Sequence, residues 1–295
     1  MAERARIAAN RTPGAIAGRI FIYGLLGIAA VYYLLPFIIM VMTSVKSMED
    51  IRMGTLISLP TRITFEAWRE AWGTACIGVE CNGIKGYFLN SVKMVIPAVV
   101  ISTAFGAVNG YVFSKWKFRG SEMIFSMLLI GCFIPFQVIL LPMARTLGQF
   151  GLAQSLTGLI LVHVVYGLAF TTLFFRNFYV NIPDDLVKAA RIDGAGFFTI
   201  FWRIILPLSI PIIVVTVIWQ TTQIWNDFLF GVVFSGGDTQ PVTVALNNLV
   251  NTSTGVKKYN VDMAAAIIAG APTLFVYIVA GKYFLKGLTA GAVKG

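Results

Sequence analysis

The residues Gln220, Thr221, Thr222, Gln223, Trp225, Asn226 and Asp227 bring amides, hydroxyls, an indole ring and a carboxylate to the end of an apolar run. At the rise of an α-helix Gln220 stands ~18 Å beyond Leu208, close to the middle of a bilayer, and Gln220, Gln223 and Asp227 share one helix face. Polar groups at that depth are costly unless they turn into a helix bundle. Two readings fit: hydrogen bonds between helices, or the lining of a path for a neutral polyol such as a sugar, held by amide hydrogen bonds and ring stacking. Gln137, on an earlier run, joins the candidate lining. His163 is the sole histidine, and no acidic residue shares its run, so it reads as a packing residue rather than a proton relay. The sequence lacks a GxxxxGK[ST] phosphate loop, a metal-ligand cluster and a Ser/His/Asp arrangement. The chain therefore reads as no enzyme: it has no means of hydrolysing ATP itself.

Those side chains must be carried by membrane-spanning helices. Hydrophobic residues make up 57% of the chain and charged residues 12%, a balance that excludes a soluble globular protein. Crossing ~30 Å of hydrocarbon takes ~20 apolar residues, and six runs are long enough: about 19–43, 92–114, 122–141, 154–174, 208–230 and 263–284. An all-α polytopic protein follows. The net charge of +10 is spread over short loops, which argues against nucleic acid as a partner. Arg4, Arg6, Arg11 and Arg19 precede the first run, Lys115, Lys117 and Arg119 follow the second, and Lys282, Lys286 and Lys294 end the chain. By the positive-inside rule these segments are cytoplasmic, giving N-in/C-in topology. The external segment 46–87 holds Cys76 and Cys81 on the oxidising side, where a disulfide or two free thiols both fit.

One stretch cannot cross a bilayer: Pro183 to Pro211, amphipathic and charged between two apolar runs. Pro183 suits a helix start, Asp184 and Asp185 complement the dipole there, and Gly194 permits the left-handed turn that ends a helix. Leu186, Ala189, Ala190 and Asp193 recur at helical spacing and form a compact face that fits another protein's groove.

The run Ala189, Ala190, Asp193, Gly194, Ala195, then Phe201, Ile204, Leu206, Pro207 and Pro211, resembles the EAA loop of the membrane subunits of ABC importers. WNDFLF resembles the fifth-span signature of maltose-type carbohydrate permeases, and GCFIPFQVILLPMAR, LVHVVYG and FTTLFFRNFYVNIP resemble the glucose/mannose-like branch. The resemblance implies a type I importer permease fold: a cytoplasmic segment over 1–18, a permease domain over 19–285 with a coupling loop at 179–207, and a cytoplasmic tail over 286–295. It also implies that Asp185, Leu186, Lys188, Ala189, Ala190, Asp193, Gly194 and Ala195 couple the chain to a separate ATPase. Lys188 stands where the motif begins with Glu, a departure that bears on the carboxylate contact and not on docking. The implied partners are a second homologous permease, two ATP-binding subunits carrying ATP and Mg, an external solute-binding protein and a sugar, in a bacterial inner membrane; the chain itself needs no cofactor. The alternative is a small secondary carrier working without an ATPase. Such a carrier needs ionisable groups inside its spans, where Asp227 is nearly alone.

Overall fold

The computed structural model describes residues 13–55, 57–251 and 256–292. The start of the expected N-terminal segment and the last three residues of the tail lie outside them. In chain order the helices are α1 (Pro13–Ser44), α2 (Met48–Met53), α3 (Glu66–Gly73), α4 (Lys85–Lys115), α5 (Ser121–Phe133), α6 (Phe136–Gln149), α7 (Leu156–Val180), α8 (Asp184–Ile192), α9 (Phe197–Leu208), α10 (Ile210–Trp225), α11 (Leu229–Phe234), α12 (Val242–Val250) and α13 (Tyr259–Ala292). Among the described residues there is no strand beyond an isolated bridge between Ile77 and Glu80.

Among the described residues four helices are long and apolar enough to cross a membrane, within Ile16–Ser44, Lys85–Lys115, Leu156–Val180 and Tyr259–Gly281. The third and fifth expected runs are not straight spans. α5 and α6 meet at 104°, and α9 meets α10 at 76°. Prolines account for both bends. Ile134, held extended as the residue before Pro135, ends α5. In the second case Pro207 and Pro211 supply no N–H to the ladder; the N–H of Leu206 reaches back to the Phe201 carbonyl, which makes Phe201–Ile205 a π-turn.

The chain divides into two compact units. One comprises residues 1–71 and 254–267. In it Lys46 is buried, donating to the Ser58 hydroxyl at 3.2 Å, while Asn260 Nδ2 donates to the Lys46 carbonyl at 3.0 Å and Lys258 pairs with Glu70 at 2.6 Å.

The other unit, residues 72–253 and 268–295, is built on the packing of α4 against α7. Lipid tails are as apolar as leucine, so close van der Waals fit is what holds such helices together. Gly106 and Gly110 supply it: a Cβ added at either would lie 2.5 Å from Thr171 or Phe175 of α7. The small-residue pair therefore closes on a helix of the same chain. At the Lys115 end of α4 a core of Ala107, Tyr111, Phe175, Tyr179, Val187, Ala190, Ile200, Phe201 and Ile205 joins α4, α7, α8 and α9. The opposite end of α4 adjoins a loop closed by a disulfide between Cys76 and Cys81.

The segment between Ser235 and Val261 contains α12. Its first N–H, from Val242, donates to Ser91 Oγ of α4 at 2.9 Å. Val242, Val244, Ala245 and Leu249 are its buried face. That apolar spacing, just after Pro241, was the signal available in the sequence.

Candidate functional site

Two groups of residues matter: the short helix α8, and the polar run that ends α10.

α8 begins after Pro183 and carries Asp184 and Asp185 in its first turn. It ends in a Schellman motif: Gly194 N–H donates to the Arg191 carbonyl and Ala195 N–H to the Ala190 carbonyl, at 3.0 and 2.9 Å. Gly194 adopts φ +80° there, in the left-handed region that only glycine enters without cost. The helix has a sharp inside and outside. Val187 and Ala190 are buried against α4, α7 and α9, whereas Asp185, Leu186, Lys188, Ala189, Ile192 and Asp193 are exposed. Ala190 was expected on the outward face with Leu186, Ala189 and Asp193; its side chain turns into the chain's own core instead. Burial of Val187 fixes this, because residues three apart on a helix lie on one side. Ile192, 87% exposed, occupies the outward face that the motif reading left to smaller residues. Beside α8 lies an open hollow of about 490 Å³, lined by Ala190, Asp193, Gly194, Ala195, Thr199, Arg203 and Ile204.

Two cations tie α8 to the end of α4. Lys115, whose side chain is 3% exposed, donates to Asp184 and to the Ile182 carbonyl. From the other end of α8, Arg191 donates to the Lys115 carbonyl at 3.3 Å and lies over the Trp116 ring at 4.1 Å. The hydrogen bond from Lys115, and after it the Lys115 charge, holds the Asp184 carboxyl below the usual carboxylate range; Lys188 and Lys117 add to this from farther away. A depressed carboxyl keeps its contact at neutral pH and loses it only as pH falls through the lowered value.

The polar run does not form one face. α10 stops at Trp225, so Asp227 lies beyond it and caps the next helix, accepting from the Phe230 and Gly231 N–H groups at 3.3 and 3.1 Å. Gln220 is 2% exposed and donates to Ser102 Oγ of α4 at 2.9 Å. Its amide fills the space that a side chain at Gly167 would take. Trp225 is buried, donates its indole N–H to the Ala269 carbonyl at 2.8 Å, and meets Phe88 edge-on; its ring is not free to stack on a solute. Gln137, Gln223 and Asn226 are exposed. The surroundings of His163 were also hidden in the sequence: its Nε2, which makes no hydrogen bond among the described residues, lies 3.7 Å from Asp227 Oδ2, 64 residues on, in a nest of rings around Phe230 formed by Phe136, His163, Tyr166 and Phe234.

The two glutamines should therefore separate by experiment. Gln220→Leu is expected to lower the thermal unfolding midpoint, because it removes a buried interhelical hydrogen bond worth ~0.6–2 kcal/mol and leaves the pocket beside Gly167 filled by the wrong shape. Gln223→Leu should leave the midpoint unchanged and alter only solute uptake. Detergent melting curves and uptake by both variants check this; the reverse pattern would exchange the two roles.

The fold has a solved counterpart. One chain of a bacterial ABC transporter involved in the import of the acidic polysaccharide alginate superposes with a TM-score of 0.78 at 21% identity, over 92% of this chain and 98% of that one. Sequence relatives are nearer. A probable ABC transporter permease of Pyrococcus horikoshii is 39% identical over 278 residues, 94% of this chain and 98% of the relative. A glucose import system permease of Saccharolobus solfataricus is 31% identical over 284 residues, 92% and 95% of the two chains, and a xylose/arabinose import permease of Haloferax volcanii is 31% identical over 282 residues, 88% and 89%. With residues 99–289 matching the family as a whole, the chain belongs to the inner membrane components of binding-protein-dependent transport systems.

Proposed function

We propose that this chain is one of two permease subunits of an ATP-driven sugar importer, with its α8 loop seated on a cytoplasmic ATPase. Membership of the family makes it a non-catalytic membrane subunit that works with an ATPase and a solute-binding protein. Glucose import by one relative and xylose/arabinose import by another support a sugar as the cargo here. ATP and Mg are carried by the partner subunits, two in number, and a second permease completes the path in a bacterial inner membrane.

The observation that carries the reading is the outward face of α8, held rigid by its Schellman end and left bare by the chain's own packing. Orientation has separate support. α4 is ~46 Å long at 1.5 Å per residue; its Lys85 end adjoins the Cys76–Cys81 disulfide and its Lys115 end adjoins α8. Disulfides persist on the oxidising side of a membrane, which supports a cytoplasmic α8, as do the basic loops. Asp185, Leu186, Lys188, Ala189 and Asp193 then face the ATPase, while Gly194 and Ala195 shape the end of the helix. Gln137, Gln223, Asn226 and Asp227 are the candidates for contact with the sugar.

Single cysteines placed at Lys117 and Asp185 should react with an impermeant maleimide only from the cytoplasm, and those at Glu66 and Lys257 only from outside. Uptake by the reconstituted complex, tested with glucose, xylose, arabinose and larger oligosaccharides, should single out one sugar class. Labelling of Asp185→Cys from outside would reverse the topology, and uptake of none of these sugars would remove the cargo assignment.

A further inference from the structure

The segment that follows α1 is turned inside out. Lys46 is 2% exposed and directs its ammonium at the segment itself: Nζ donates to Ser58 Oγ at 3.2 Å and to the Thr55 carbonyl at 3.4 Å. The Thr61 hydroxyl donates to Asp50 Oδ1 at 2.6 Å, and the Asp50 N–H donates to Ser47 Oγ at 3.1 Å. The apolar side chains point the other way. Met53, Ile57, Leu59, Ile63 and Phe65 are each at least 60% exposed. A loop folded for water hides such groups and shows its charges, so water is not the medium that this surface fits.

Its depth follows from α1. That helix buries none of its apolar stretch within the chain, and Arg19 is its one charged residue. From Arg19 to Ser44 the rise is ~38 Å at 1.5 Å per residue. Across ~30 Å of hydrocarbon, a helix with Arg19 in one headgroup layer brings Ser44 to the other. The chain then returns to that level, because the Thr64 N–H donates to the Val45 carbonyl at 3.0 Å. Ile63 and Phe65 flank this bond and stand at the bilayer surface with it. From Met53 to Phe65 the only charged residue is Arg62. Arg62 and Arg52 are exposed, and their stems can lie along apolar surface while the guanidinium reaches a phosphate. Exposed Glu49 shares a side of α2 with Arg52, which sets α2 in the headgroup layer, farther from the bilayer centre than the apolar side chains.

We propose that Met53, Ile57, Leu59, Ile63 and Phe65 rest in the outer phospholipid leaflet, with Arg52 and Arg62 on its phosphates, as an interfacial anchor continuous with α1. Apolar side chains and arginines at one level are the composition of segments that lie in the interface. A protein partner is the other candidate cover. The tie of Thr64 to Val45 favours lipid, because it pins the patch to the residue that leaves the bilayer instead of raising it clear of the surface. Such an anchor sets the depth and tilt of α1, which the chain's own packing leaves bare. It is independent of the ATPase and of the cargo.

The test uses the complete complex with Cys132→Ser, cysteine-free partners and the native disulfide left oxidised, in vesicles of phosphatidylethanolamine and phosphatidylglycerol. Single spin labels replace Leu59, Ile63 or Phe65 in turn, so that each leaves the rest of the surface in place. Asp238, exposed on another loop, is the water-facing control. Each label is read by power saturation with oxygen, which partitions into lipid, and with a nickel chelate, which stays in water. Oxygen should relax the labels at 59, 63 and 65 more than the nickel chelate does, and the order should reverse at 238. Arg62→Glu should shift the label at Ile63 toward the nickel reagent, and Arg62→Lys should leave it in place. Stronger relaxation by nickel at all three positions would put the surface in water and overturn the anchor. Weak relaxation by both reagents would reveal a protein cover and overturn it too: the second permease if the solute-binding protein is absent, that protein if the effect appears only on its addition. An Ile63 label unmoved by Arg62→Glu overturns the phosphate contact.

Discussion

Gly110→Leu is expected to leave almost no folded protein. A Cβ at position 110 would stand 2.5 Å from Phe175 Cβ and 2.7 Å from the Arg176 backbone nitrogen, and backbone cannot step aside as a flexible side chain can. Overpacking a well-fitted interior costs ~1–3 kcal/mol even for small additions, so Gly110→Ala should survive with a lowered melting midpoint, and leucine should not survive. α4 and α7 are the helices on which the larger unit is built, so their separation removes the support of α8 as well. Gly131→Ala, where a side chain meets nothing within 4 Å, is the matched control and should be neutral. The monodisperse fraction in size-exclusion chromatography, with detergent melting of whatever elutes, checks all three; a monodisperse Gly110→Leu protein would show that the helices can part without loss of fold.

The second large effect is functional. Gly194→Val should keep the chain folded and remove transport. The position is open, so no clash arises, but a β-branched residue at φ +80° costs ~1–2 kcal/mol in backbone strain. The cheapest relief is to undo the Schellman end of α8, which changes where Ile192 and Asp193 point. Asparagine tolerates the left-handed region, so Gly194→Asn should restore most of the activity, a rescue that a general packing defect would not allow. Subunit stoichiometry, basal ATPase and ATPase stimulated by the solute-binding protein are the readouts. Equal loss in the Val and Asn variants would mean that the outward surface at 194, and not the turn, is what matters.

The parts of this molecule that the sequence reveals follow one rule: the signal must lie within a single helix. Apolar runs of the right length are such a signal, and the four unbroken membrane helices stand where hydropathy puts them, whereas the third and fifth runs are broken. So are Pro183 and Gly194, which bracket α8 within a residue or so. What escaped needs two helices at once. The direction of Ala190 depends on the core that Val187 enters, and spacing alone makes Ala190 as good a docking residue as Ala189. The approach of His163 to Asp227, and the hydrogen bond of Gln220 to Ser102 across 118 residues, cannot be read from either member. The shared face of Gln220, Gln223 and Asp227 failed for a local reason: the helix ends at Trp225, because Asp227 satisfies the first N–H groups of α11 better than it continues α10. The bend at Ser209 was legible in part, since Pro207 and Pro211 were visible but their combined angle was not.

The 104° turn at Pro135 bears on how the chain is made. Backbone groups freed by such a turn find no water among lipid tails, and irregular backbone at that depth persists only against protein. The hairpin of α5 and α6 leaves the ribosome before α7 does, yet α7 is the helix on which α5 packs. Its final shape must therefore wait for a later segment. Synthesis and packing therefore run in different orders here: the bent segment is made before the α7 surface that it packs against.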